Sequence, residues 1–209
     1  MILDYSQLPE LTSGWSLVAG VDEVGRGALL GPVVAAAAMI PLPLVPQLNE
    51  LGVKDSKKLS SKRRTQLAQQ IQSMATDWQI GLATAEEIDE INILQASLLA
   101  MQRAVIKLKP TPELCLVDGK FAIPDLATPQ INLVKGDEKS LVIAAASILA
   151  KVWRDQLIIK LAQTYPDYDL AANKGYGTKR HRIALQKYGL CAEHRRSFRP
   201  CQVKHCSSD

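Results

Sequence analysis

Short apolar runs alternate with helix-like patterns along most of this chain. The first two runs, at 17–24 and 31–40, are separated by a short glycine-containing segment, which predicts two neighbouring strands. Three further strands are predicted at 78–83, 113–118 and 131–134, and helices at 61–75, from 84 to before Pro110, at 139–164 and near 178–188. Strands that alternate with helices after an initial hairpin predict an α/β fold, in which helices flank a central mixed β-sheet.

The helix that opens at residue 84 has the clearest pattern. Thr84 and Glu87 have the spacing of a capping box, which predicts the helix start. Apolar side chains then recur every three or four residues and form a stripe that we expect to face the core: Ile88, Ile91, Leu94, Leu98, Met101, Val105 and Leu108. Elsewhere, the small-residue run at 144–147 predicts a helix packed closely on the sheet, and the proline-rich segment 41–46 predicts the end of the second strand.

The composition excludes several classes of protein. With 209 residues, of which 47% are hydrophobic and 22% charged, the chain can form one well-buried domain. The longest apolar stretch, 29–45, contains three prolines, so we expect no membrane span. The first residues lack a basic segment followed by an apolar one, so we expect no secretory signal and a cytoplasmic location.

The net charge of +4 is unevenly distributed. The segment 174–204 holds nine Lys or Arg side chains and one acid, whereas the rest of the chain has sixteen basic and twenty acidic side chains. A second basic segment, 54–64, has six bases and one acid. An acidic body with two basic segments is typical of a protein that brings a polyanion to a metal site, although either segment alone is equally typical of a solvated helix face.

Four cysteines in a chain of this length do not indicate a disulfide framework. The C-terminal segment offers five potential zinc ligands, namely Cys191, His194, Cys201, His205 and Cys206. Their spacing matches no paired zinc-ligand motif well, so zinc is the weaker interpretation of this segment.

Carboxylates stand at the ends of three predicted strands. Asp22 and Glu23 end the first strand, Asp118 ends the fourth, and Asp137 follows the fifth. Because sites in α/β sheets gather where strand ends meet loops, we expect these side chains to lie together. Carboxylates without nearby histidines select Mg²⁺ or Mn²⁺ over Zn²⁺, and two such ions can promote phosphodiester hydrolysis. The residues thus indicate a metal-dependent enzyme acting on phosphates, while each acid alone is also explained as a cap or turn residue.

Seven motifs that follow one another between residues 17 and 200 resemble those of bacterial type 2 ribonucleases H, the ribonuclease HII family. They are Gly20-Val21-Asp22-Glu23-Val24-Gly25-Arg26-Gly27, Asp55-Ser56-Lys57-Lys58-Leu59, Val117-Asp118-Gly119, Lys135-Gly136-Asp137, Ala145-Ala146-Ser147-Ile148-Leu149-Ala150-Lys151-Val152, Lys174-Gly175-Tyr176 and His194-Arg195-Arg196-Ser197-Phe198. As a set, these motifs are highly specific.

The resemblance implies a ribonuclease H-like fold and a division of the chain. A leader at 1–16 would precede a catalytic domain at 17–165, followed by a small helical substrate-binding region at 166–200 and a tail at 201–209. The implied activity is that of an endonuclease that cuts the RNA strand of RNA–DNA hybrids and nicks duplex DNA 5′ of an embedded ribonucleotide. Such cleavage leaves a 3′-hydroxyl and a 5′-phosphate. No interface stripe stands out in the sequence, so we expect a monomer.

The resemblance also implies roles for individual residues. Four acids match the catalytic metal ligands, namely Asp22, Glu23, Asp118 and Asp137. Gly25, Arg26 and Gly27 match the loop whose backbone reads the ribose 2′-hydroxyl, and Tyr176 matches the tyrosine that stacks at the RNA–DNA junction. Glycines on both sides of Arg26 independently favour a close backbone approach, and the 2′-hydroxyl is the group that separates RNA from DNA at one position.

Exposed lysines near these motifs are candidate phosphate contacts, and solubility explains them equally well. They are Lys57, Lys58, Lys174 and Lys179.

Other classes of protein stay open at this point. A transposase or resolvase nuclease of the same fold class would also cluster acids but would need no 2′-hydroxyl. A nucleic-acid-binding module without catalysis would use the acids only as caps. A phosphatase or kinase with a phosphate loop at 25–31 is weaker still, because no Walker lysine follows the glycines.

Overall fold

The computed structural model describes residues 14–53, 56 and 59–202. Its centre is one mixed β-sheet with the strand order β3-β2-β1-β4-β5. The strands are β1 (Val18–Val24), β2 (Val33–Met39), β3 (Asp77–Ala83), β4 (Leu114–Asp118) and β5 (Gln130–Leu133). The strands β1, β2 and β3 pair antiparallel, while β4 runs parallel to both β1 and β5. The predicted α/β fold with a central mixed sheet is confirmed.

Seven α-helices occur in the described part of the chain. They are α1 (Val45–Glu50), α2 (Ser61–Met74), α3 (Ala85–Val105), α4 (Gly136–Lys139), α5 (Leu141–Thr164), α6 (Leu170–Asn173) and α7 (Lys179–Tyr188). Side chains of β1 and β2 alternate between two cores, because successive strand residues point to opposite faces. One core lies under α5 with α1 and α2, and the other lies under α3.

Helix α5 lies very close to the centre of the sheet. A methyl group at Gly20 of β1 would come within 2.3 Å of the Val142 carbonyl carbon and oxygen, so only glycine allows this approach. The run Ala144, Ala145 and Ala146 is fully buried against the same face. The close packing that the small residues predict is therefore present, and it carries α5 past the carboxyl end of β1.

The predicted end of the second strand is confirmed: β2 ends at Met39, and after Pro41 a 3-10 turn (Leu42–Leu44) leads directly into α1, because proline fits the first turn of a helix. One detail of the predicted helices is wrong. The long helix α3 is interrupted at Asn92, whose backbone is not helical and whose side-chain oxygen accepts hydrogen bonds from the N–H groups of Leu94 and Gln95. Beside this interruption Ile91 is exposed, rather than facing the core as predicted, whereas Leu94 is half-buried and packs against the core under α3.

The C-terminal region packs on the end of α5 and on the segment after β1. Leu29, Leu30 and Ile158 form a small third core with residues from α6, α7 and the chain beyond them. The division of the chain at 165/166 stays a prediction. In the described part of the chain, no helix is long and apolar enough to cross a membrane.

Candidate active site

Parallel pairing of β1 with β4 brings three carboxylates together. Val21 pairs with Val117, so the next residues, Asp22 and Asp118, stand side by side on the face that α5 covers. Glu23 follows at the end of β1. One carboxylate oxygen from each of these three acids lies within 4.8 Å of the other two. The alternation of strand side chains thus supplies two of the acids to one face, and the strand end supplies the third.

Asp137 reaches the same cleft from a helix rather than from a strand end. The sequence pattern placed it where the fifth strand closes, but β5 ends at Leu133 and Asp137 lies in the first turn of α4. Lys135 adopts a left-handed conformation that turns the chain there, and Asp118 Oδ1 accepts a 2.6 Å hydrogen bond from the Gly136 N–H. The Asp137 residue is 8% exposed and lines the cleft with the other acids.

The pKa values of two of the acids, Asp22 and Glu23, are raised. Burial is the main cause of the raised pKa of Asp22, and the charges of Glu23, Asp118 and Asp137 raise it further, against a lowering hydrogen bond with Ser147. Burial also raises the pKa of Glu23, although Arg26 opposes this through a 2.9 Å ion pair. Gathering carboxylates in a buried place costs free energy unless a cation compensates, and an all-oxygen donor set suits a hard divalent cation. The residues present therefore fit such an ion.

The loop after β1 borders the acids, and contacts with Arg154 and Arg195 hold its backbone in place. Gly25, Arg26 and Gly27 line the same cleft, whose volume is about 430 Å³. Gly25 has a φ of 91°, and a methyl group there would collide with the Arg154 side chain at 2.2 Å. Arg195 donates to the Arg26 carbonyl at 2.9 Å. The loop therefore has a defined backbone path immediately beside Glu23.

Two buried arginines hold this loop by its carbonyl groups. Arg154 donates to the carbonyls of Pro32, Leu30 and Lys174, and Arg195 donates to those of Gly31 and Arg26. Both residues are 0% exposed, and neither forms a salt bridge with a described carboxylate. Burial lowers the pKa of Arg195 to about 9, with a contribution from the Arg154 charge. Five hydrogen bonds to backbone carbonyls are what offsets the cost of burying these charges.

Tyr176 lies on the other side of the same loop. It forms a β-bridge with Ala28, and the preceding Gly175 carbonyl accepts from the N–H of Leu29. Lys151 Nζ and the Arg154 guanidinium lie 5.6 and 5.5 Å from the centre of the tyrosine ring. The structure thus brings Tyr176 into one cleft with the Gly-Arg-Gly loop and the four acids.

Of the four predicted lysine contacts, the structure describes two, and neither of these lines the cleft. Lys57 and Lys58 lie outside the described residues. Lys174 is not among the residues that line the cleft; its side chain donates to the Ala171 carbonyl and its own carbonyl accepts from Arg154. Lys179, the first residue of α7, does not line the cleft either.

Three polar side chains that line the cleft were given no role by the sequence prediction: Ser56, Ser147 and Lys151. The Ser56 and Ser147 hydroxyls lie 3.1 Å apart, and Ser147 also hydrogen-bonds Asp22. Lys151 pairs with Asp155 at 2.8 Å. All three lie in motifs that carry the family resemblance, so the signal was present, but their types alone did not separate them from ordinary helix and loop residues.

The potential zinc ligands of the C-terminal segment are only partly described. His205 and Cys206 lie outside the described residues, and Cys201 is buried. Cys191 Sγ and His194 Nδ1 are 3.1 Å apart, but the other ring nitrogen of His194 faces His181. Within the part of the chain that the structure describes, Cys and His side chains do not gather as three ligands around one point.

The fold and the site together define a class of protein. A mixed sheet whose neighbouring strand ends gather carboxylates on the face covered by one long helix is the arrangement of ribonuclease H-like nucleases, as the motifs implied. The family model described as "Ribonuclease HII" matches residues 19–201. The chain belongs to the ribonuclease HII family, and it is a hydrolytic endonuclease of the ribonuclease H type, which acts on RNA–DNA hybrids.

Individual relatives agree with this assignment. The chain is 62% identical over 198 residues to the ribonuclease HII of Trichormus variabilis, which covers 93% of this chain and 88% of that protein. It is 55% identical over 181 residues to the ribonuclease HII of a Synechocystis species, covering 87% and 95% respectively. The crystal structure of the ribonuclease H2 from Pyrococcus horikoshii OT3 superposes with a TM-score of 0.77 at 31% identity, covering 89% of this chain and 95% of that one.

Proposed function

We propose that this protein nicks duplex DNA 5′ of a single embedded ribonucleotide, in addition to cutting the RNA strand of RNA–DNA hybrids, and leaves a 3′-hydroxyl and a 5′-phosphate. The observation that carries this proposal is one cleft that contains both the acid cluster and the Gly-Arg-Gly loop with Tyr176. Acids alone would suit any phosphodiesterase of this fold class. The backbone loop beside them adds a means of recognising the sugar at the cleavage position.

Asp22, Glu23, Asp118 and Asp137 are the proposed ligands of Mg²⁺ or Mn²⁺. When bound, such ions supply an activated water and stabilise the leaving oxygen of a phosphodiester. The protein's own part is to hold the ligands in place before binding: Gly136 fixes Asp118, and Ser147 with the Glu23 N–H fixes Asp22. Arg26 pairs with Glu23 and thereby orients the acid that lies nearest the loop.

The loop offers a backbone donor for the ribose. In a trans peptide, the carbonyl and the following N–H point in opposite directions. The Arg26 carbonyl points to Arg195, so the Gly27 N–H points away from that arginine, and Gly27 lines the cleft. A hydrogen bond on the carbonyl also polarises the peptide and strengthens its N–H as a donor. The oxygen of a ribose 2′-hydroxyl can accept a hydrogen bond from the Gly27 N–H, whereas a deoxyribose has no acceptor at that position.

A nicking assay tests the proposal. The protein is incubated with Mg²⁺ or Mn²⁺ and with two matched DNA duplexes, one of which contains a single ribonucleotide. We expect one nick, 5′ of the ribonucleotide, with a 3′-hydroxyl product end. Cutting of both duplexes would instead indicate a nuclease that ignores the 2′-hydroxyl, and binding of both without cutting would indicate a non-catalytic module.

Tyr176→Ala should weaken cleavage of the single-ribonucleotide duplex more than cleavage of a long RNA–DNA hybrid. A long hybrid offers many registers, whereas the single junction needs its flanking sugar held in one place, and base or sugar stacking on an aromatic ring contributes about 1–3 kcal/mol. We therefore expect a loss of about tenfold or more in kcat/KM on the first substrate. Tyr188→Ala is the control, because Tyr188 is an exposed tyrosine at the end of α7. Equal losses on both substrates would contradict the proposed junction role.

Two further properties, the oligomeric state and the cellular location, belong to this proposal. We infer a monomer, because the largest exposed apolar side chains, such as Ile106, Phe121 and Ile183, are spread over separate elements. We infer a cytoplasmic location, because the described cysteines, Cys115, Cys191 and Cys201, are all free thiols, as expected in a reducing compartment.

A further inference from the structure

Two buried histidines join the tyrosine loop to the segment that anchors the Gly-Arg-Gly loop. His181 lies in the first turn of α7 and is 0% exposed, and His194 is 1% exposed. Their Nε2 atoms are 3.1 Å apart. The opposite nitrogen of His181, Nδ1, lies 3.0 Å from the Tyr176 carbonyl oxygen, and that of His194 lies 3.0 Å from the Cys191 backbone nitrogen. Neither histidine lines the cleft.

The backbone groups at the two ends fix the protons between them. The Cys191 N–H can only donate, so His194 Nδ1 is an acceptor and the proton of the neutral ring sits on Nε2. His194 Nε2–H therefore donates to His181 Nε2, which leaves the His181 proton on Nδ1. That proton is donated to the Tyr176 carbonyl. A single arrangement of two neutral rings satisfies all three hydrogen bonds.

Their surroundings keep both rings neutral. The Tyr168 ring packs on both in T-shaped contacts, with its centre 4.8 Å from that of His194 and 5.9 Å from that of His181. Burial lowers the pKa of His181, and burial together with the neighbouring His181 lowers the pKa of His194 to about 4. A second proton on either ring would place two donors against one another or against the Cys191 N–H.

We call the hydrogen-bonded series from the Cys191 N–H through His194 and His181 to the Tyr176 carbonyl the histidine relay. This relay connects Tyr176 to the segment that anchors the Gly-Arg-Gly loop. Tyr176 stands at one end. At the other end, His194 forms a β-bridge with Leu30, and its neighbours complete that pairing: Gly31 N–H donates to the Glu193 carbonyl, and Arg195 N–H donates to the Leu29 carbonyl. Residues 29–31 continue directly from the Gly-Arg-Gly loop. A shift of either histidine would therefore change the position of Tyr176 relative to that loop.

We propose that His181 and His194 are positioning residues that set Tyr176 against the Gly-Arg-Gly loop, and that they determine the preference for a single embedded ribonucleotide over a long hybrid. This inference rests on the proposed function. Neither histidine lines the cleft, and the contact with it is made through the Tyr176 carbonyl, so their effect is on substrate preference rather than on the hydrolytic step.

Two substitutions at His181 separate the relay from simple packing. His181→Leu keeps an apolar side chain of similar size but cannot donate to the Tyr176 carbonyl. His181→Asn can place an amide N–H near the position of the imidazole Nδ1–H and restore that bond. The readout is the ratio of kcat/KM for the single-ribonucleotide duplex to kcat/KM for the long hybrid. We expect His181→Leu to lower this ratio by about tenfold, as for one lost buried hydrogen bond, and His181→Asn to recover most of it.

Leu185→Ala is the matched control, because Leu185 is buried on the same helix and takes no part in the relay. It should lower the unfolding temperature without changing the ratio. In the Tyr176→Ala background, His181→Leu should have no further effect on the ratio, because both changes act through the same tyrosine. A drop in kcat/KM that is equal for the two substrates, or a further drop in the ratio in the Tyr176→Ala background, would overturn the proposal.

A measurement on the unmodified protein keeps the proposal testable even if His181→Leu does not fold. Nitrogen-15 NMR of the imidazoles should report the Nδ1–H tautomer for His181 and the Nε2–H tautomer for His194 at neutral pH. Any other pair of tautomers would rule out the relay. Failure of the unmodified protein to nick the single-ribonucleotide duplex is a separate result, which would overturn the proposed function and this inference with it.

Discussion

Asp22→Asn is expected to abolish cleavage of every substrate while leaving the fold intact. Asparagine keeps an oxygen that can accept the Glu23 N–H, which Asp22 Oδ1 accepts at 2.7 Å, so the local backbone is preserved. It removes one charged ligand from the proposed metal site. Since loss of an outer-shell partner of a metal already costs about 10–100-fold, loss of a ligand should lower activity by at least about 100-fold. The initial rate on an RNA–DNA hybrid with Mg²⁺ or Mn²⁺ measures this.

The stability of the same variant provides a second and independent measurement. The pKa of Asp22 is raised in the folded protein, so its ionised form is disfavoured and costs stability at neutral pH. Without metal, Asp22→Asn should therefore unfold at the same temperature as the unmodified protein or at a higher one. Added Mg²⁺ or Mn²⁺ should raise the unfolding temperature of the unmodified protein more than that of the variant, because only the former has the full ligand set.

Glu138→Gln provides the matched control for these measurements. Glu138 is exposed and follows Asp137 in α4, so this substitution removes one carboxylate charge from the same turn without changing the cluster. It should retain activity and the metal-dependent stabilisation. Full activity of Asp22→Asn would contradict the assignment of the acids as metal ligands. Loss of the fold in Asp22→Asn without metal would contradict the electrostatic account.

The fold and the acids were accessible from sequence because each depends on a local signal. The apolar run of β1 and the capping box of α3 are short-range features, and both are present in the structure. The interruption at Asn92 was not predicted, because an asparagine in a helical pattern looks like any polar surface position until its side chain caps the next turn. Asp137 lines the same cleft as the other acids but lies in the first turn of a helix rather than at a strand end, because the left-handed turn at Lys135 has no apolar pattern to mark it.

The side chains that hold the site in place could not be predicted from the sequence. Arg154 and Arg195 are the clearest cases, because arginine normally indicates a solvated surface and both residues are fully buried. Their partners are carbonyls 122 and 164 positions away along the chain, at Pro32 and Gly31, and no pattern of residue types marks a backbone carbonyl as an acceptor. Only the three-dimensional packing of α5 and the C-terminal segment on the loop defines these contacts.

Arg154→Leu is expected to destabilise the protein strongly. Two opposing effects determine how much the free energy of unfolding falls. Removing the guanidinium leaves the carbonyls of Pro32, Leu30 and Lys174 without their donor, at about 1–3 kcal/mol for each buried unsatisfied group. Removing a buried charge recovers its desolvation cost, which is several kcal/mol. Because three carbonyls would lose their donor while only one charge is removed, we expect the first effect to dominate, with a net loss of about 3 kcal/mol.

That loss corresponds to a decrease of about 6–12 °C in unfolding temperature for a chain of this size. The unfolding temperature of Arg154→Lys should lie between those of the unmodified protein and Arg154→Leu. The lysine ammonium keeps the charge but lacks the planar guanidinium that reaches three carbonyls at once. Arg180→Leu is the control, because the Arg180 side chain is 82% exposed and should change stability little. If Arg154→Leu were as stable as the unmodified protein, the desolvation cost would outweigh the hydrogen bonds. The role of Arg154 would then be only to hold the geometry of the Gly-Arg-Gly loop. In that case Arg154→Leu would lower the activity and leave the stability unchanged.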